Sequence, residues 1–144
     1  MADYLLIDGD QAHFLASFGE ATVLVQPGTL RASGPATLGG QRLCVLGDEA
    51  SVSVGGCLYT TSKHSIPGVG ALEIAALAAD QRAQRPATGG ARALLVGGRF
   101  TARFVVQSPA MQPPKGPGSP IPDATLHYAG EGFFITTNTK LRGA

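Results

Sequence analysis

A chain of 144 residues can hold one domain with one modest core, and its 11 Lys and Arg against 10 Asp and Glu leave a net charge of +1. This even balance argues against a nucleic-acid partner, because phosphate binding usually needs a basic face. Twenty glycines, ten prolines and a hydrophobic fraction of 44% predict many tight turns between short packed strands.

The start of the chain carries no targeting signal that we can identify. The apolar run at residues 4–7 is too short for a signal peptide and has no basic residues before it. No apolar run approaches the ~18 residues of a membrane-spanning helix. We therefore expect synthesis in the cytoplasm and export, if any, by a route that reads no N-terminal signal. Cys44 and Cys57 are too few for a disulfide scaffold and fit free thiols or a metal thiolate better, although one bridge between them stays open.

The fold class predicted from the pattern is mainly β, as a single domain over residues 1–144. Apolar and β-branched runs, some alternating with polar residues, mark the strands. The predicted strands lie at residues 4–7, 13–15, 22–26, 51–54, 57–61, 94–96, 100–106 and 132–141.

One segment predicts a helix instead. Residues 71–82 are rich in alanine, which has the highest helix propensity, and Leu72, Ala75, Ala76 and Ala79 share one small-residue face. A proline at position 86 would end this helix.

Residues 107–122 hold six of the ten prolines and can be neither a helix nor a central strand. A polyproline ligand for an adaptor domain is one interpretation. We favour an ordered, extended connection across the surface, leading to the C-terminal strand at 132–141.

Pairs of glycines recur after an apolar residue, and two explanations stay open. Such pairs suit the positive-φ positions of hairpin turns, which any β protein needs. They could also mark an internal repeat of strand pairs. The pairs are Gly39-Gly40, Gly55-Gly56 and Gly97-Gly98, with Gly130-Glu131-Gly132 as a looser copy.

Catalytic motifs are absent from the sequence: it has no nucleophile elbow, phosphate-binding loop or metalloprotease motif. Acid pairs Asp8/Asp10 and Asp48/Glu49 lie in turn-like sequence and read as solvated turn residues. A small Cys–His hydrolase remains an alternative; it would use Cys44 or Cys57 with His64 or His127, oriented by Asp123 or Asn138. We expect no enzymatic activity.

The three histidines and one cysteine could supply a His₃Cys zinc site. The candidate ligands are His13, Cys57, His64 and His127, holding one zinc ion. No pair has the close spacing of a zinc motif, and each histidine could equally be an ordinary core or surface residue.

Three short glycine-containing stretches recur along the chain: 16–19 with 31–34; 56–57 with 65–67; and 95–98 with 108–111. In order and approximate spacing they resemble the PAAR-like spike-tip proteins of contractile injection systems, over roughly residues 5–112. The tetrapeptide that gives PAAR proteins their name is absent, and Ala16 stands where relatives often have a cysteine. By position, only Cys57 and His64 match expected ligand positions, and His13 and His127 are added as the missing donors.

This resemblance implies a compact cone of short strands and glycine-rich hairpins that caps a trimeric, VgrG-like spike. It implies a structural role: sharpening the spike for membrane puncture, in a type VI secretion system, an extracellular injection particle or a phage tail. Effector or cargo proteins could dock on the outer surface, and the target membrane would be contacted only on firing. The main alternative is another structural module of a phage-like baseplate.

Overall fold

The computed structural model describes residues 3–34, 37–38, 40–88, 91–114, 116–138 and 142–143. Strands dominate it, and the only helical pieces described are single 3₁₀ turns at Asp48–Ser51 and Ala79–Gln81. The mainly β fold class is therefore confirmed. The strands are β1 Asp3–Tyr4, β2 Gln11–Phe14, β3 Ser17–Phe18, β4 Ala21–Val23, β5 Gly28–Thr29, β6 Thr37–Leu38, β7 Gln41–Arg42, β8 Ser53–Thr61, β9 Gly68–Ala76, β10 Arg82–Thr88, β11 Ala91–Leu94, β12 Phe100–Ser108, β13 Met111–Gln112, β14 Ile121–Pro122, β15 His127–Ile135 and β16 Arg142–Gly143.

Eight strands form one curled antiparallel sheet, which we call the half-barrel. Its order is β3-β4-β8-β9-β12-β15-β2-β5, and every adjacent pair is antiparallel. Its concave side encloses the main core, where Phe18, Tyr59, Phe100 and Phe104 are almost fully buried.

Glycines on the concave side make room for these aromatic rings. A Cβ at Gly130 would lie 2.5 Å from the Phe18 ring, and a Cβ at Gly70 would lie 2.4 Å from the Phe104 ring. Because the rings occupy space that side chains would otherwise fill, the strands can wrap closely around them.

The predicted helix at 71–82 is wrong. Its first half, residues 71–76, belongs to β9, where burial alternates from Gly68 to Ile74 with a period of two. Its second half contains a 3₁₀ turn at Ala79–Gln81. β9 is hydrogen-bonded on both sides, to β8 and β12. This pairing and the burial of Leu72 and Ile74 outweigh the helix propensity of alanine.

Two further boundaries differ from the sequence prediction. Gly55-Gly56 is not a hairpin turn: it lies inside β8 as a bulge, where the register with β9 shifts. The C-terminal strand begins five residues earlier than predicted and ends at Ile135, because Thr136 and Thr137 turn to bond Asp10. Residues 139–141 of the prediction lie outside the described residues.

The proline-rich segment, described apart from residue 115, contains two short strands. Residues 109–123, which we call the arm, leave β12, form the β13–β14 pair and return towards β15. The arm lies at the same end of the half-barrel as the β8–β9 loop, because Met111 pairs with Ile66 of that loop. We call this end the far end.

Candidate functional site

Opposite the far end, three segments close a ring that we call the strand ring. They are residues 4–8, 42–46 and 92–96. At its centre the Leu6 N–H bonds the Leu94 oxygen (2.9 Å), the Leu94 N–H bonds the Cys44 oxygen (3.0 Å), and the Cys44 N–H bonds the Leu6 oxygen (2.9 Å). One step outward, equivalent bonds run from Asp8 to Arg42, from Leu46 to Arg92 and from Val96 to Tyr4. Each segment thus bonds both others.

All three pairs of segments in the ring are antiparallel. In a flat sheet this is impossible, since two strands that are both antiparallel to a third are parallel to each other. The segments must therefore turn around a common centre like the sides of a triangle. One chain thus builds a pseudo-threefold axis out of three different sequences.

A sequence repeat underlies the ring, and we did not identify it from the sequence alone. Each ring segment is followed by a glycine with positive φ: Gly9 (86°), Gly47 (106°) and Gly97 (54°). The glycine pairs noted in the sequence do not mark this repeat: only Gly97-Gly98 lies at one of these turns, and Gly55-Gly56 is the bulge in β8. Gly39 lies outside the described residues. The repeat itself aligns residues 5–10, 43–48 and 93–98, which read LLIDGD, LCVLGD and ALLVGG.

A buried aspartate closes two of the three turns. The Asp10 carboxylate accepts the Ile7 N–H (2.7 Å), and the Asp48 carboxylate accepts the Val45 N–H (2.8 Å). These residues are 2% and 9% exposed, so they are not the solvated turn residues that we predicted. Such acceptors stabilise a turn whose N–H groups would otherwise be left unpaired.

The third turn has Gly98 where the others have aspartate, and another segment supplies the missing acceptors. The Asp80 carboxylate accepts the Gly98 N–H (3.0 Å), and the Gln81 carbonyl accepts the Leu95 N–H (2.9 Å). The ring geometry is thus conserved between repeats although the side chains differ.

The ring has two apolar faces. Leu6, Cys44 and Leu94 are fully buried in the main core of the half-barrel. Their neighbours along each segment point the other way, since side chains alternate along strands. They form a second cluster with Ala83: Leu5, Ile7, Leu43, Ala93 and Leu95. The ring therefore closes the half-barrel on one side and lines a small second core on the other.

Each ring segment is continued by a two-stranded ribbon on its N-terminal side. The ribbons are β1–β16, β6–β7 and β10–β11. In the part of the chain that the structure describes, their outer strands β16, β6 and β10 pair with no further strand. The pseudo-threefold arrangement thus extends beyond the ring to three ribbons.

The predicted zinc ligands are distributed over the molecule. His13 stacks on Phe133 and bonds Gln11, while His64 bonds Thr61 in the β8–β9 loop. His127 is exposed at the start of β15. His13 pairs with Phe133, six residues further along β15, so His127 and His13 lie about 20 Å apart along the strand direction. Cys57 is buried in the main core.

These four side chains do not fit a single zinc ion. Cys57 faces the concave side of the half-barrel, whereas His13 and His127 lie on its outer face. Within the described ranges, no three His, Cys, Asp or Glu residues are grouped as metal ligands. Zinc binding by the protein stays a prediction, to be checked by elemental mass spectrometry of wild type, Cys57→Ser and His64→Ala.

Neither thiol is placed as a nucleophile among the described residues. Burial raises the pKa of Cys44, with Asp48, Asp10 and Asp8 adding to the effect, and burial also raises the pKa of Cys57. The Cys57 thiol lies near the Val54 oxygen (3.7 Å), and no hydrogen bond joins either cysteine to a histidine in this part of the chain. The geometry gives the Cys–His alternative no support.

At the far end, Asp123 anchors the arm to the half-barrel. Its carboxylate accepts the hydroxyls of Tyr59 (2.9 Å) and Tyr128 (2.6 Å) and the Thr125 N–H (3.0 Å). Burial alone would raise the pKa of Asp123, but these bonds and nearby His64 outweigh it and lower the pKa. The Ala110 N–H in turn bonds the Tyr59 hydroxyl, and burial raises the pKa of Tyr59 to about 12.

The described residues thus form a small β body that is closed at one end by a pseudo-threefold ring of strands. The family model for contractile injection system spike tip proteins matches residues 1–144, and the chain belongs to this family. The resemblance derived from the sequence is thereby confirmed at the level of spike tip proteins. No curated protein matches the chain. Among the described residues, no helix is long and apolar enough to cross a membrane.

Proposed function

We propose that this protein caps a trimeric, VgrG-like spike, with one copy of the tip on three spike chains. The observation that carries the proposal is the cyclic hydrogen bonding of Leu6, Cys44 and Leu94. A single chain that presents three like strands around one axis matches the symmetry of a trimeric end.

The physical need for such a cap lies in the edges of strands. A trimeric β-spike that simply stopped would expose three equivalent sets of unpaired backbone groups, which invite uncontrolled pairing. The three ribbons offer one partner strand to each spike chain. The apolar second core, around Leu5, Leu43 and Leu95, would continue an apolar spike axis.

In this orientation the far end leads when the machine fires. The half-barrel with its arm would then sharpen the spike for membrane puncture, and its outer surface is where an effector or cargo protein would dock. The same arrangement would serve a type VI secretion system or an extracellular particle.

The test is the copy number of the tip on the purified trimeric spike of the same particle. Native mass spectrometry should give one tip per three spike chains. Three or six tips would favour the baseplate alternative and contradict the cap.

Hydrogen exchange on the same complex tests the orientation. Backbone amides of the ring and ribbons should become protected on binding, while those of the β8–β9 loop and the arm should not change. Protection confined to the far end would reverse the proposed orientation.

A further inference from the structure

Exposed apolar side chains are concentrated towards the far end. Among the described residues, seven large apolar side chains are exposed. Two of them lie at the opposite end: Leu46 belongs to a ring segment, and Ile135 precedes Thr136, which bonds Asp10 of the first ring turn. The other five, which we call the apolar band, are Leu24, Leu58, Ile66, Ile121 and Leu126. This clustering marks a contact surface rather than scattered surface residues.

The apolar band runs from the flank of the half-barrel onto the far end. Leu24 follows β4, and its N–H bonds the Leu58 oxygen on β8 (2.8 Å). Both side chains line a groove of about 190 Å³ that reaches Pro67 in the β8–β9 loop. Ile66 of the same loop pairs with the arm, which carries Ile121 on β14. The band is therefore continuous across the half-barrel, the loop and the arm.

The apolar band carries little charge. The two segments that form its outermost part, residues 62–67 and 109–122, contain no Asp or Glu. Lys63 is exposed in the first of them and takes part in neither ion pair of the described residues. Of the described acids at this end, Glu20 lies in the β3–β4 turn and Asp123 is buried. An apolar surface with a lysine beside it is complementary to lipid, because the ammonium group can stay at the headgroups.

The backbone of the arm also suits an apolar medium. Six prolines lie at residues 109–122, and a proline has no N–H that could be left unpaired. The Met111 N–H and oxygen are both bonded to Ile66 (2.9 and 3.0 Å). Unpaired backbone donors are costly in lipid, whereas a protein partner could bond them itself. The proline content therefore favours lipid as the partner of this end.

We propose that the apolar band inserts into the interfacial layer of a lipid bilayer without applied force. This inference rests on the proposed function, which makes the far end lead, and adds the surface that this end recognises. The tip would hold to the bilayer before the machine fires, while the strand ring stays on the spike.

The experiment measures binding of the isolated tip to vesicles of mixed phosphatidylcholine and phosphatidylglycerol, with two matched pairs of substitutions. Leu24→Thr with Leu58→Thr removes two side chains of the band and should weaken binding about tenfold or more. Leu46→Thr with Ile135→Thr removes two exposed side chains of the same kind by the strand ring and should bind like wild type. If the first pair impairs folding, Leu126→Thr against Ile135→Thr gives the same comparison.

A single introduced tryptophan reports which end enters the lipid, because the chain has no tryptophan of its own. Leu126 lies at the far end, where its oxygen accepts the Val106 N–H (2.9 Å). The fluorescence of Leu126→Trp should shift to shorter wavelength when vesicles are added. The fluorescence of Ile135→Trp should not change.

Three results would overturn the inference: no vesicle binding by wild type, which would leave the band to a protein partner; equal weakening by both pairs; or equal shifts of both tryptophans. The tip bound to its spike should also bind vesicles. Loss of vesicle binding in that complex would mean that the spike covers the band, against both the inference and the proposed orientation. A tip that binds vesicles but not the trimeric spike would refute the proposed function alone.

Discussion

At the scale of single residues, the ring depends on glycines that adopt positive φ after each segment. A side chain at such a position costs about 1–2 kcal/mol in backbone strain alone. The three sites differ in their surroundings. Nothing lies within 4 Å of a Cβ built on Gly9, whereas a Cβ on Gly97 would lie 2.6 Å from Gln81 Cγ and 2.7 Å from the Asp80 oxygen.

We therefore expect Gly97→Ala to destabilise the protein more than Gly9→Ala. Gly9→Ala should cost about 1 kcal/mol of unfolding free energy, from strain alone. Gly97→Ala adds a steric clash with backbone that carries the third turn, and should cost about 2–4 kcal/mol. Urea unfolding of both variants measures the difference, and equal costs would contradict the role assigned to the third turn.

The Asp123 carboxylate should make stability depend on pH. Its pKa in the folded protein is below the ordinary value of 3.8. As the pH falls, the unfolded chain therefore binds a proton first, so this contribution is present above 3.8 and is lost as the pH falls through the folded pKa.

The stability difference between wild type and Asp123→Asn should accordingly shrink from about pH 6 to about pH 3, because the variant cannot ionise. Urea unfolding at the two pH values provides the measurement. If the difference stays constant between the two pH values, the hydroxyl groups of Tyr59 and Tyr128 do not stabilise the charged form of Asp123 over the neutral form.

At the scale of elements, strands with β-branched or alternating residues could be predicted from the sequence, and the alanine-rich strand could not. β12 behaves as expected, with Ala102 and Phe104 buried and Thr101 and Arg103 exposed. In β9 the alternation of Leu72, Glu73 and Ile74 was present, but alanines on both sides obscured it. Pairing with β8 and β12 decides the conformation, and local propensity does not contain that information.

The arm is an element that should be separable from the rest. Gln112 pairs with Ile121, so a two-residue Asn-Gly turn can replace residues 113–120 without disturbing β13 and β14. Since Asp123 and Tyr59 hold the base of the arm, the melting temperature should change by less than about 4 °C.

The control for this replacement is Tyr59→Phe in the full-length arm, which removes the anchor but keeps the loop. It should cost about 1–3 kcal/mol, because the Asp123 carboxylate loses one donor and the Ala110 N–H loses its acceptor. Thermal unfolding of both variants checks the comparison; a larger loss from the loop replacement would show that the loop itself stabilises the fold.

At the scale of the whole molecule, the sequence was sufficient for the fold class and the family but not for the site. The zinc prediction brought His13, Cys57 and His127 together by residue type. Strand alternation separates them, since Cys57 points inward and the two histidines point outward. No single sequence motif describes the ring, because the third repeat has Gly98 in place of the aspartate. The acceptor at this turn comes instead from Asp80, which lies outside the repeat.

If one tip caps each trimeric spike, as we propose, the ring has a genetic consequence, because the tip is then a one-copy component of each particle. In cells that express wild-type and inactive tips together, every particle then carries wholly one allele or the other. The active fraction of particles should fall linearly with the wild-type share. For a tip made of three separate chains, the active fraction would fall with the cube of the wild-type share. Varying the ratio of the two alleles therefore distinguishes a one-chain tip, whose inactive allele acts in proportion to its share, from a three-chain tip, whose inactive allele is dominant-negative.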